Sequence, residues 1–172
     1  MTTPKPPSQP GCLWLQECIE ECNGDTVFVE DEGVRATFRN PNHDRIRKIR
    51  YDACYYKGKG RQADFILGLP EVIDVILELK NSDTNIKDAA LQVATTFERW
   101  RDDPIAAKKI AGLIIYGRIE GKKKLPGRVP RASAVINGLR ADFFRNYQKL
   151  LLIHENGAKQ FRFDDFLKKT ND

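Results

Sequence analysis

The stretch "EVIDVILELK" at residues 71–80 limits what this chain can fold into more than any other segment. Val, Ile and Leu dominate positions 72–79, the composition of a strand covered on both faces. Such a strand implies a central sheet with a layer packed above it and another below. Its end carries Glu78-Leu79-Lys80, a carboxylate and an ammonium two residues apart and therefore on one side of the strand. Charged groups are rarely buried there unless they pair or bind something.

The flanking segments supply the rest of the sheet. "TVFVEDEGVRATFR" reads as a hairpin turning at Asp31-Glu32-Gly33, and "KIRYDACYY" as a further strand. "ADFIL" (63–67) precedes the opening strand by a turn at Gly68-Leu69-Pro70-Glu71. After "NSDTN", Ile86, Ala90, Val93, Phe97 and Trp100 recur at helical spacing and predict a helix to about Arg101. "AGLIIYGRI" (111–119) is another apolar strand, followed by a helix over roughly 132–148 and a late strand at "KLLLIHENG". "KQFRFDDFLKK" closes the chain as a short strand or helix, and "GCLWLQECIEEC" (11–22) reads as a first helix. The expected fold is α/β, a mixed central β-sheet flanked by helices, in one domain over 11–172 behind a disordered Pro-rich tail at 1–10.

If the "ADFIL" and "EVIDVILELK" strands form a hairpin turning near residue 70 or 71, Asp64 shares a face with Glu78 and Lys80. A one-residue slip would remove it. Two carboxylates held close together repel each other and invite a divalent cation, and their hard oxygens with an incomplete shell suit Mg²⁺. Lys80 beside them can orient a water, assist its deprotonation or neutralise charge on a phosphate under attack. Asp74 stands at the other end of the strand.

These residues, Asp64 followed by Glu78-Leu79-Lys80, resemble the signature of the PD-(D/E)XK, or restriction-endonuclease-like, nucleases. The resemblance implies an αβββαβ core over residues 11–119, with 120–172 as C-terminal decoration. It implies Asp64 and Glu78 as metal ligands and Lys80 at the attacking water, with Mg²⁺ as cofactor and Mn²⁺ able to substitute. Gln92 falls where RecB-like members place a catalytic Gln, although the Tyr of that helix motif is missing. Glu20 or Glu21 resembles the additional acidic ligand of many members, and Glu21 is taken as that candidate. Ala63 stands in place of the namesake Pro. The implied activity is phosphodiester hydrolysis, with DNA favoured over RNA, in phage defence or DNA processing.

Charge is segregated. Residues 35–61 hold nine Lys/Arg against Asp44 and Asp52, and residues 117–131 hold six against Glu120, in a chain of net charge +5. The remainder is acidic, so the two basic segments suggest a face turned toward a polyanion. Candidate nucleic-acid contacts are Arg45, Arg47, Lys48, Arg50, Lys57, Lys59 and Arg61 in the first, and Lys122, Lys123, Lys124 and Arg128 in the second. Tyr51, Tyr55 and Tyr56 are either base-stacking rings or half-buried packing.

No apolar run reaches the roughly 18 residues of a membrane span, and "MTTPKPPSQPG" has no apolar signal core, so a cytoplasmic protein is expected. Cys12, Cys18, Cys22 and Cys54 form no CxxC pair and read as buried thiols of a reducing compartment. His43 and His154 lie in no catalytic motif, and neither GxSxG nor a phosphate-binding GxxxxGK[ST] loop occurs. Besides the nuclease, a non-catalytic nucleic-acid-binding module and a partner subunit or homodimer remain open.

Overall fold

A computed structural model describes residues 7–117, 131–157 and 159–167. Strands β1 (Cys12–Trp14), β2 (Ile19–Cys22), β3 (Thr26–Asp31), β4 (Val34–Arg39) and β5 (Ile46–Arg50) lead into a π-helical turn at Tyr51–Tyr55. Then come β6 (Phe65–Leu69), β7 (Ile73–Lys80), α1 (Ile86–Trp100), β8 (Lys109–Tyr116), α2 (Arg131–Tyr147), β9 (Leu151–Glu155), β10 (Gln160–Phe161) and α3 (Phe163–Leu167).

Among the described residues, seven strands make one mixed sheet in the order β1-β2-β5-β6-β7-β8-β9. It is antiparallel from β1 to β7 and parallel from β7 to β9. The parallel half follows from the helices, because α1 and α2 connect β7 to β8 and β8 to β9. Strand β7 sits in the middle, and Ile73 through Leu79 are all buried. Its two faces enter two separate cores. Ile76, with α1 and α2 residues such as Val93, Phe97, Trp100 and Phe143, fills one. Val75, Leu77 and Leu79 meet the small sheet β10-β4-β3 and α3 in the other, around Phe38, Phe161 and Phe166. The sheet is therefore covered by helices on one face and mainly by a second sheet on the other.

The hairpin β3–β4 forms as expected, with Glu32 and Gly33 at positive φ in its turn. Helix α1 matches its apolar stripe and is preceded by a short 3-10 turn whose Thr84 N–H is capped by Ser82 Oγ at 3.2 Å. Gly112 in β8 is required by close packing. A Cβ there would come 2.8 Å from both Leu151 Cδ1 and Val93 Cγ1, so glycine lets α1 and β9 approach the sheet.

Residues 11–22 overturn the expected first helix. They form β1 and β2, paired in a register that sets Cys12 opposite Cys22. The Cys18/Cys22 spacing mimics a helical face, but pairing of Ile19–Cys22 with β5 adds two strands to the sheet. The leading helix of the αβββαβ order is thus absent among the described residues, while the succession β5, β6, β7, α1, β8 is present.

The cysteines also depart from expectation. All four are oxidised, as Cys12–Cys22 and Cys18–Cys54. Disulfides persist in oxidising environments, so the cysteine argument for a reducing compartment lapses. No helix of the described residues is long and apolar enough to cross a membrane. Within the expected tail, Gln9 is anchored: its amide donates to Thr26 O and accepts from Phe28 N–H, at 2.8 and 3.0 Å.

Candidate functional site

The β6–β7 hairpin pairs Phe65 with Leu77, a turn centred on residue 71, where Glu71 takes the left-handed conformation. That register sets Asp64, just before β6, opposite Glu78. The two are cross-bonded: Asp64 N–H donates to Glu78 Oε2 at 3.1 Å, and Leu79 N–H donates to Asp64 Oδ2 at 2.9 Å. Lys80 Nζ lies 2.6 Å from Glu78 Oε1 and donates to Gln92 Oε1 at 2.7 Å. Asp64, Glu78, Lys80 and Gln92 are therefore one hydrogen-bonded group at the C-terminal end of β7, between the sheet and α1.

Burial makes this group electrostatically tense. Glu78 is 1 % exposed in its side chain, and its carboxyl is pushed up to about 8, first by burial and then by the Asp64 charge, against the opposing Lys80. Asp64 is pushed up to about 6 by burial, opposed by the Leu79 N–H, with Asp31, Lys80 and Asp52 acting more weakly. A divalent cation would relieve this cost by favouring both ionised forms. The donor types fit Mg²⁺, which accepts a few carboxylates and completes an octahedral shell with water and substrate oxygens. Among the described residues, Asp64 Oδ1 takes no hydrogen bond, and no group of three or more His, Cys, Asp and Glu is placed to hold a metal.

Glu21 is not part of this group. It pairs with Arg47, which lies level with Gly68 and Asp74. That places it four residues down β7 from Glu78 and three strands across, roughly 20 Å by strand rise and spacing. Its carboxylate faces Arg45 at 3.9 Å instead. Glu20, on the other face of β2, is buried against Lys48 at 3.3 Å.

The basic residues of 35–61 divide. Lys48 is spent inside the protein on Glu20 and on Phe28 O at 3.3 Å. Arg47 is also internal: its Nη2 donates to Asp74 Oδ1 at 3.3 Å and to Ile105 O at 2.8 Å. Neither is available to a nucleic acid, which corrects the expectation for both. Arg45 is exposed but lies at the far end of the sheet, and Arg50 is half-buried at the near end of β5. Lys57, Lys59 and Arg61 are exposed on the segment joining the π turn to Asp64. Lys122, Lys123, Lys124 and Arg128 lie outside the described residues.

The tyrosines are packing. Tyr51 stacks on Tyr55 and on Tyr56 at 5.8 Å in each case, and Arg99 covers Tyr56 at 4.7 Å. Tyr55 OH donates to Asp103 Oδ2 at 3.0 Å, and the Tyr51 phenol is pushed up to about 12, chiefly by burial. Asp74, fully buried, accepts from Trp100 Nε1 and Ala107 N–H, both at 2.7 Å, and so anchors the opposite end of α1.

Sequence reasoning missed the support behind Lys80. Gln92 Nε2 donates to Gln62 O at 3.1 Å, and Gln62 N–H donates to Asp52 Oδ1 at 2.9 Å. Thr96 Oγ1 accepts from Ala63 N–H at 2.8 Å and donates to Gln62 Oε1 at 3.3 Å. One signal was present: Gln92 and Thr96, four apart on α1, are polar residues on the buried side of an apolar helix. The partner segment 52–62 comes from a loop that periodicity does not place. No protein-family model, curated protein or solved structure matches the chain.

Proposed function

We propose that the protein is a metal-dependent nuclease that hydrolyses phosphodiester bonds, acting on DNA in preference to RNA, on a site of the PD-(D/E)XK kind. The observation that carries this reading is the facing of Asp64 and Glu78 across a hairpin, with Lys80 held beside them by Gln92. A buried carboxyl group, a half-buried one and an ammonium held together at the end of a rigid strand are costly to stability and useful to chemistry.

A bound Mg²⁺, or Mn²⁺ in its place, would polarise the phosphate and lower the pKa of a coordinated water. Asp64 and Glu78 would hold it, and Asp64 Oδ1 is the oxygen that needs no rearrangement to do so. Lys80, fixed by Glu78 and Gln92, keeps its charge at a defined point where a phosphoryl oxygen or an attacking water can meet it. Gln92 and Gln62 act as positioning residues that limit where the Lys80 side chain can go. Lys57, Lys59 and Arg61, exposed on the segment that leads to Asp64, are the cations offered to a nucleic-acid backbone in this reading.

The test is incubation of the protein with labelled single-stranded DNA, duplex DNA and RNA in Mg²⁺, Mn²⁺ or EDTA. Cleavage in either metal, its loss in EDTA and its loss in Lys80→Ala, Asp64→Ala and Glu78→Ala are expected, with nucleic-acid binding largely kept. Undiminished Mg²⁺-dependent cleavage by the Glu78→Ala protein would overturn the assignment. Binding without cleavage in every condition would favour a non-catalytic binding module.

A further inference from the structure

At the other end of α1 a concavity opens, about 460 Å³ in volume, between the end of α1, the segment 106–110 and the end of α2. No residue of the candidate site lines it. Arg101 lies nine residues beyond Gln92, ~13 Å along the helix direction. The volume falls within the range of about 300–1,000 Å³ typical of small-molecule sites.

Its lining has a definite chemistry. Arg101, Lys108 and Lys149 line it, Asn146 adds an amide, and no Asp or Glu is among the described lining residues. Among the described residues none of the three cations forms an ion pair, in contrast to Arg47, Lys48 and Lys80, which each lie against an acidic side chain inside the protein. The rings of Phe97 and Tyr147 also line the cleft, 5.1 Å apart between centroids and inclined at 62°. The Arg101 guanidinium lies 5.7 Å from the Phe97 ring centroid. The nearby carboxylate of Glu98 is engaged by Tyr147 OH at 2.9 Å. Three unpaired cations in a cleft also lined by aromatic rings suit a ligand with a multiply charged anionic end and a flat body.

We propose that this cleft is a binding site for an organic phosphate of mononucleotide size. The phosphate meets Arg101, Lys108 and Lys149, and the flat body lies against Phe97 and Tyr147. The proposal is independent of the nuclease reading, because it uses none of Asp64, Glu78, Lys80 and Gln92.

Isothermal titration of the full chain in metal-free, low-salt buffer tests it, with adenosine 5′-monophosphate, ribose 5-phosphate and inorganic phosphate as probes. Saturable one-site binding of the nucleotide is expected, about tenfold tighter than inorganic phosphate, with ribose 5-phosphate between them. Arg101→Ala and Lys149→Ala should each weaken nucleotide binding by about tenfold, whereas Glu78→Gln should leave it unchanged. Lys108→Ala, at an exposed position, serves as a third variant, and circular dichroism verifies that each is folded. Absence of saturation, inorganic phosphate binding as tightly as the nucleotide, or folded cation variants that match the wild type would each overturn the proposal.

Discussion

Replacing Glu78 by glutamine isolates the electrostatic cost of the candidate site. In the unfolded chain this carboxyl titrates near 4.5, and in the fold it is pushed up to about 8 by burial and by Asp64. The folded protein therefore binds a proton more tightly than the unfolded one. The associated stability is fully present below pH 4.5 and is lost as the pH rises through about 8. Between those limits the wild type should lose stability steadily as the pH rises, on the order of a few kcal/mol in all. The side chain is almost wholly buried, so solvent does little to screen the effect.

The glutamine side chain of the Glu78→Gln variant cannot ionise and escapes this loss. It does not escape every cost, because both Glu78 oxygens accept hydrogen bonds, from Asp64 N–H and from Lys80 Nζ. The new amide nitrogen must face one of those donors, which costs about 1–2 kcal/mol at any pH. The Glu78→Gln protein should thus be less stable than wild type at pH 5 and more stable at pH 9. Urea denaturation of both proteins at one-unit steps from pH 5 to 9, in metal-free buffer, measures the crossing. Adding Mg²⁺ at pH 8 should raise the wild-type midpoint and leave that of the variant nearly unchanged. Stability curves that run parallel over the whole range would refute the electrostatic account.

Removing the charge of Lys57, Lys59 and Arg61 together should weaken nucleic-acid binding and flatten its salt dependence by about 2–3 in the log–log slope, read by fluorescence anisotropy across a salt series. The Cys18–Cys54 disulfide closes a sequence separation of 36, and Cys18→Ser with Cys54→Ser should cost about 4 kcal/mol in chemical denaturation; an unchanged midpoint would mean that the bond is not formed. Asp74→Ala should cost about 3–5 kcal/mol, since it strands Arg47, Trp100 Nε1 and the Ala107 N–H inside the protein, and thermal unfolding checks it.

Short-range patterns set down much of the architecture. The largely apolar run of β7 required cover on both faces, and the 3–4 spacing from Ile86 to Trp100, set by burial of one helical face, defined α1. The period-2 pleat of a hairpin turning at 71 brings Asp64 opposite Glu78, a register the apolar pattern leaves open between 70 and 71 because both faces of β7 are buried.

Long-range partners decided the rest. Residues 11–22 have a helix-like spacing of apolar and acidic side chains, yet become strands because β5 offers an open edge and Cys12 meets Cys22 across the pair. Arg47 and Lys48 look like surface charges in "RIRKIR" but are drawn inward by Asp74 and Glu20, acids that stand 27 and 28 positions away in sequence. Gln62 and Thr96 support Lys80 only once the loop before β6 lies against α1. Local periodicity in the sequence determined that these segments form a strand and a helix, and the resemblance of Asp64 and Glu78-Leu79-Lys80 to a known signature marked them as the candidate site. Which charges reach solvent, which cysteines pair and what steadies Lys80 depended on contacts between distant segments, and those exist only in the folded chain.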